Sequence, residues 1–120
     1  MANNIIRDNY KYQLGTATVN KNLGKYEAHV FKEGNVVYVD IRTYNASTPQ
    51  QCNATESIFT LPEGFRPRNT ISIPASCPTG SFSNAINAIC NITPEGHVRV
   101  SGSGSYYQVW VIGAFPVPND

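Results

Sequence analysis

The sequence predicts an all-β protein, a two-sheet antiparallel sandwich or a barrel of about eight short strands. Three observations predict it. Apolar and polar residues alternate in short runs, as where Val37, Val39, Ile41 and Thr43 interleave with Tyr38, Asp40, Arg42 and Tyr44. Turn-forming residues separate the runs, as at Glu33-Gly34-Asn35, Leu61-Pro62-Glu63-Gly64 and Pro94-Glu95-Gly96. Helical periodicity is confined to a single turn near Ser81 to Asn87, and no internal repeat points to a solenoid or propeller.

In chain order, residues 1–10 are polar apart from Ile5-Ile6 and read as an arm or a link to an upstream module. Residues 11–120 read as one domain, of a size that buries a core without metals or disulfides. Tyr12 to Val19 is a first short strand, and Asn20 to Gly24 turns it. Tyr26 to Lys32 and Asn35 to Tyr44 form a hairpin about Gly34. The face carrying Val37, Val39, Ile41 and Thr43 belongs in a core; the face carrying Tyr38, Asp40, Arg42 and Tyr44 is a polar-aromatic stripe. Asn45 to Asn53 is loop.

The next stretch organises the rest. Ser57 to Leu61 alternates as a half-buried strand, then Pro62 withholds a backbone donor and Gly64 permits a positive φ, so the chain turns. Pro67 holds Arg66 extended, and alternation restarts from Thr70 to Pro74. Cys77 to Ser81 is a second loop. Ala85 to Thr93 pairs with His97 to Ser101 about Pro94-Glu95-Gly96, Gly102 to Ser105 is a flexible loop, and Tyr106 to Phe115 is one last strand ended by Pro116 and Pro118.

Composition narrows the function. Charged residues are 14% and the formal net charge is +1, without a Lys/Arg cluster, which excludes nucleic acid as the expected partner. Asn, Ser and Thr take the place of charge, giving a surface suited to neutral polar partners. Cys52, Cys77 and Cys90 have no close pair and no metal-ligand spacing; reduced thiols of a chain folded in cytoplasm are expected, and no metal or other cofactor. No run reaches membrane-spanning length, and Met1-Ala2-Asn3-Asn4 opens no apolar leader.

The order of these parts carries a resemblance. A strand ending in Leu61-Pro62-Glu63-Gly64-Phe65-Arg66-Pro67, a further strand, a Pro94-Glu95-Gly96 hairpin and a C-terminal aromatic strand resemble the receptor-binding head domains of phage tail and baseplate proteins. The resemblance is to those of siphophages infecting Gram-positive bacteria, over Tyr26 to Val117. The resemblance implies a jelly-roll-like β-sandwich in a homotrimeric head, located at the virion tail tip or baseplate and joined to other tail proteins through its N-terminus. It also implies adhesion to a host cell-wall polysaccharide or teichoic acid, held in a crevice between subunits. Around Asn87 to Asn91 and Arg99 this sequence departs from the aromatic-rich pattern of such heads, so their binding residues do not carry over one by one.

Chemistry read from the residues agrees with binding more than with catalysis. His29 and His97 are the only histidines, and no nucleophile elbow or metal-binding His pair is present. The main carboxylates are Asp40, Glu27, Glu33, Glu56, Glu63 and Glu95, and three of them sit in turns where carboxylates are ordinarily solvated. Non-enzymatic function is therefore expected. Seven tyrosines, five phenylalanines and one tryptophan supply flat faces on which sugar rings stack, while Asp, Asn and Arg bond their hydroxyls. Tyr38, Asp40, Arg42 and Tyr44, with Trp110, are the expected saccharide-binding residues. Trp110 is expected to share a face with Tyr106 and Gln108, and to be packed rather than bare. The same stripe has the composition of a subunit interface. Two other functions stay open at this point, a structural trimerisation or capping domain without ligand and a polysaccharide depolymerase.

Overall fold

A computed structural model describes residues 17–21, 25–44, 50–76, 86–106 and 108–118. The described residues form ten strands: β1 (Thr18–Val19), β2 (Lys25–Glu33), β3 (Val36–Tyr44), β4 (Gln50–Gln51), β5 (Ser57–Thr60), β6 (Ile71–Ser76), β7 (Ile86–Ile92), β8 (His97–Ser103), β9 (Ser105–Tyr106) and β10 (Trp110–Pro116). Among the described residues there is no helix, hence none long and apolar enough to cross a membrane. Eight strands make one curled antiparallel sheet in the order β1-β5-β8-β7-β6-β10-β3-β2, and β4 pairs with β9 separately. The predicted all-β class is correct, in the form of a single continuous sheet.

The curl has local causes. β10 pairs with β3 along its full length but with β6 at only two positions, Trp110 with Ser76 and Val111 with Ala75. Pro74 follows on β6, has no N–H to give a second neighbour, and pairs only with Ile89 of β7. Beyond these two pairs β6 and β10 share no further ladder pairing, although the Ile73 side chain still packs closely against Gly113, and the two halves of the sheet face each other across the core. Across the fold, the Tyr26 ring of β2 meets the Phe59 ring of β5 edge-on, with centroids 6.3 Å apart. Toward the other end of β2, Lys32 Nζ donates to the Gly64 carbonyl at 2.8 Å and lies over the Phe65 ring, tying β2 to the turn after β5.

Inside the curl lie Val30, Val37, Val39, Ile41, Val111 and Phe115 from one half. From the other come Ile58, Phe59, Leu61, Cys90, Ile92, Val98 and Val100. The β-branched residues suit a pleated surface buried on one side. Alternation fails where it matters most, because Ile58 and Phe59 are both buried at a register shift in β5. The bulge lets two consecutive side chains reach the core.

The predicted core face of β3 is confirmed to its last residue. Thr43 is fully buried, and its hydroxyl accepts from Val109 N–H at 2.9 Å and donates to the Val109 carbonyl at 3.3 Å. This anchors the chain one residue before β10. Thr43→Val keeps the volume but strands the buried Val109 N–H, and is expected to lower unfolding free energy by about 2 kcal/mol in urea titrations. An unchanged midpoint would refute that anchor.

Two sequence expectations are corrected. Residues Tyr106 to Phe115 are not one strand: β9 ends at Tyr106, which pairs with Gln50, and β10 begins at Trp110. Gln50–Gln51, expected in a loop, is the partner strand that draws β9 aside. The start of the first strand before Ala17, the loop through Cys77 to Ser81 and most of the helical turn at Ser81 to Asn87 lie outside the described residues; Ile86 and Asn87 belong to β7.

Candidate binding face

The outward face of β2, β3 and β10 forms a lattice three strands wide. Register sets Glu27, His29 and Phe31 of β2 opposite Arg42, Asp40 and Tyr38 of β3, in that order. On the other flank, Trp110, Ile112 and Ala114 of β10 face the same three residues. With strands about 4.8 Å apart and same-face residues about 7 Å apart, the lattice spans roughly 10 by 14 Å.

Three interactions organise it. Arg42 binds Asp40 in bidentate fashion, Nε to Oδ1 at 2.7 Å and Nη2 to Oδ2 at 3.1 Å. Both side chains are about one-third exposed, so the pair contributes orientation more than stability. The guanidinium also sits 4.7 Å from the centroid of the Trp110 ring, a cation–π contact that fixes both planes. At the far end of the lattice, Phe31 and Tyr38 stack with centroids 5.2 Å apart and planes 16° apart. On its other side Tyr38 faces Ala114, an exposed residue with a short side chain.

Of the expected site residues, the structure brings Asp40, Arg42 and Trp110 into contact and places Tyr38 on the same face one step beyond Asp40. The side chain of Tyr44 lies outside the described residues, although its backbone pairs with Lys25. Trp110 is partly buried beneath Arg42, as expected of a packed ring, but Tyr106, one of the two residues expected on its face, is not there. Tyr106 is 1% exposed and belongs to the core. The strand breaks between them, so alternation cannot be counted across it.

Glu27, His29 and Phe31 join the lattice without having been read as binding residues. Their alternation along β2 was legible; which face of β3 they accompany depends on cross-strand register. Ile112 is also part of the lattice, half exposed at 51%. With His29 neutral, one Arg against one Asp and one Glu gives the face a formal charge of −1.

Other chemistry is limited. Cys52 and Cys90 are free, and burial pushes the Cys90 thiol up to about 12, which keeps it protonated and inert as a nucleophile at neutral pH. Burial also raises the Cys52 thiol, against a smaller opposing effect of Lys21. Cys77 lies outside the described residues. Among the described residues no group of three or more His, Cys, Asp or Glu side chains is placed to hold a metal ion. On the other half of the sheet the outward polar groups bond one another, Ser72 to Asn91 at 2.6 Å and Asn91 to Ser101 at 3.1 Å.

No family model matches this chain, and no curated protein shows significant similarity to it.

Proposed function

We propose that this protein is an adhesion module that binds a bacterial surface saccharide without chemical conversion. In this reading it is the head of a phage tail or baseplate receptor-binding protein, a jelly-roll-like domain that works as a homotrimer. The observation that carries the proposal is the ordered polar-aromatic lattice on one outward face, Arg42 held between Asp40 and Trp110 with Tyr38 beside Ala114. A pyranose on that face stacks its C–H face against Tyr38 while Asp40 and Arg42, already oriented by each other, bond its hydroxyls. Pre-orientation lowers the entropy lost on binding. The negative formal charge of the lattice favours a neutral polysaccharide over a polyanionic teichoic acid. Affinity per site is weak, and several heads per particle supply avidity.

The test is saturable binding of the labelled protein to Gram-positive cells and to a neutral glycan panel, with Trp110 emission as a second readout. Asp40→Ala combined with Arg42→Ala is expected to weaken binding at least tenfold while light scattering still reports a trimer. Equal binding by the double variant would reject the lattice as the site. A monomer in light scattering would reject the trimeric head.

One observation favours a second reading, a structural trimerisation or capping domain. Ile112 and Ile89 are 51% and 43% exposed on the outward surface, and apolar groups of that size suit burial between copies. A stable trimer that binds no cell or wall fraction would support this reading.

A further inference from the structure

At the opposite end of β3 from Arg42 lies a separate cleft of about 440 Å³. It sits beside the β2–β3 turn, where Val36 pairs with Pro116, six residues or roughly 20 Å along the strand from Arg42. Its volume falls within the range of small-molecule sites.

The cleft is built rather than incidental. Pro67, Ile71 and Val117 form an apolar floor, with Pro67 and Val117 buried. Pro116 and Pro118 wall one side, and their rings fix the local backbone before any ligand arrives. Val117 N–H donates to the Asn35 carbonyl at 2.8 Å, joining the C-terminal wall to the hairpin wall. The rim is polar: Asn35, Arg68 and Asn69 are all exposed. Arg68 makes no ion pair or hydrogen bond with any described residue, and among the described residues no carboxylate lines the cleft.

We infer that this cleft binds an oxyanion carried on a small polyol framework, a sugar acid or a polyol phosphate. A planar guanidinium without a partner matches a carboxylate or phosphate in bidentate geometry. The amides of Asn35 and Asn69 offer donors and acceptors to adjoining hydroxyls, and the proline floor accepts the C–H face of the framework. The charge preference is opposite to that of the lattice on the outward sheet face, so the two sites select different ligands. The inference stands independently of the adhesion reading.

The experiment is residue-resolved NMR of the ¹⁵N-labelled protein at low ionic strength, titrated separately with glucuronate and glycerol 3-phosphate, with glucose and glycerol as uncharged controls. Saturable shifts are expected at the Asn35 and Asn69 side-chain amides and at Arg68, with the uncharged controls inert. A response to glucuronate alone marks a sugar acid as the ligand class, to glycerol 3-phosphate alone a polyol phosphate, and to both a general oxyanion site. Arg68→Gln, an exposed turn substitution whose fold is checked in the same spectra, is expected to weaken the response at least tenfold. Absence of saturable shifts with both anions, equal shifts with the neutral controls, or an unaltered response in Arg68→Gln overturns the proposal. Shifts confined to Tyr38, Arg42 and Trp110 would overturn it while leaving the adhesion reading intact.

Discussion

Phe59→Ala is expected to destabilise the protein by about 4 kcal/mol, and to lower its melting temperature by roughly 15 °C. Phe59 is fully buried, and its ring is where β5 touches β2 across the fold of the sheet. Truncation removes apolar contact from the core and leaves a cavity between two strands that share no hydrogen bonds. The two halves are then held by the remaining core residues and, farther along β2, by the Lys32 contacts to Gly64 and Phe65. Tyr26→Ala is the comparison. Tyr26 is half exposed and loses mainly the edge-on ring contact, so about 1 kcal/mol is expected. Urea unfolding of both variants checks the pair. Equal costs, or a cost below 1 kcal/mol for Phe59→Ala, would mean that the curl is not closed there.

Gly96→Ala comes next, at about 3 kcal/mol. Gly96 has φ +91°, a left-handed conformation that a Cβ opposes. A Cβ built there would also lie 2.6 Å from Arg66 Nε and 2.8 Å from the Leu61 carbonyl oxygen. Arg66 Nε donates to that same carbonyl at 2.9 Å, and Leu61 N–H donates to the Gly96 carbonyl at 2.8 Å. The turn after β5 and the turn after β7 thus interlock through one glycine, and an added methyl must separate them. Gly34→Ala isolates the conformational part: φ is +61° and nothing lies within 4 Å of its Cβ position, so about 1 kcal/mol is expected. Thermal unfolding of the two variants measures the difference. Equal losses would show that the interlock contributes nothing beyond backbone strain.

These two positions show where reading the sequence stops. Gly96 and Pro62 were legible as turn residues, since turn chemistry is local. That the two turns hold each other was not, because Leu61 and Gly96 meet only after β5 pairs with β8. The polar-aromatic stripe of β3 was legible for the same local reason, as alternation assigns Tyr38, Asp40 and Arg42 to one face. Its partners in β2 and β10 were not, because one residue of register moves every side chain to the opposite face. Tyr106 shows the cost of extending alternation across a break: four residues past the end of β9, at Trp110, the chain has changed partners.

By itself the sequence determined the all-β class, the hairpin about Gly34, the buried face of β3 from Val37 to Thr43 and the polar character of the opposite face. Each follows from period-two patterning and turn residues within a few positions of one another. Tertiary structure alone decided the joining of eight strands into one curled sheet through two residue pairs beside Pro74. It also decided the seat of Trp110 beneath Arg42 and the proline-walled cleft under Arg68. Those features are made by residues far apart in the chain, and long-range pairing is carried by packing and register rather than by any local signal.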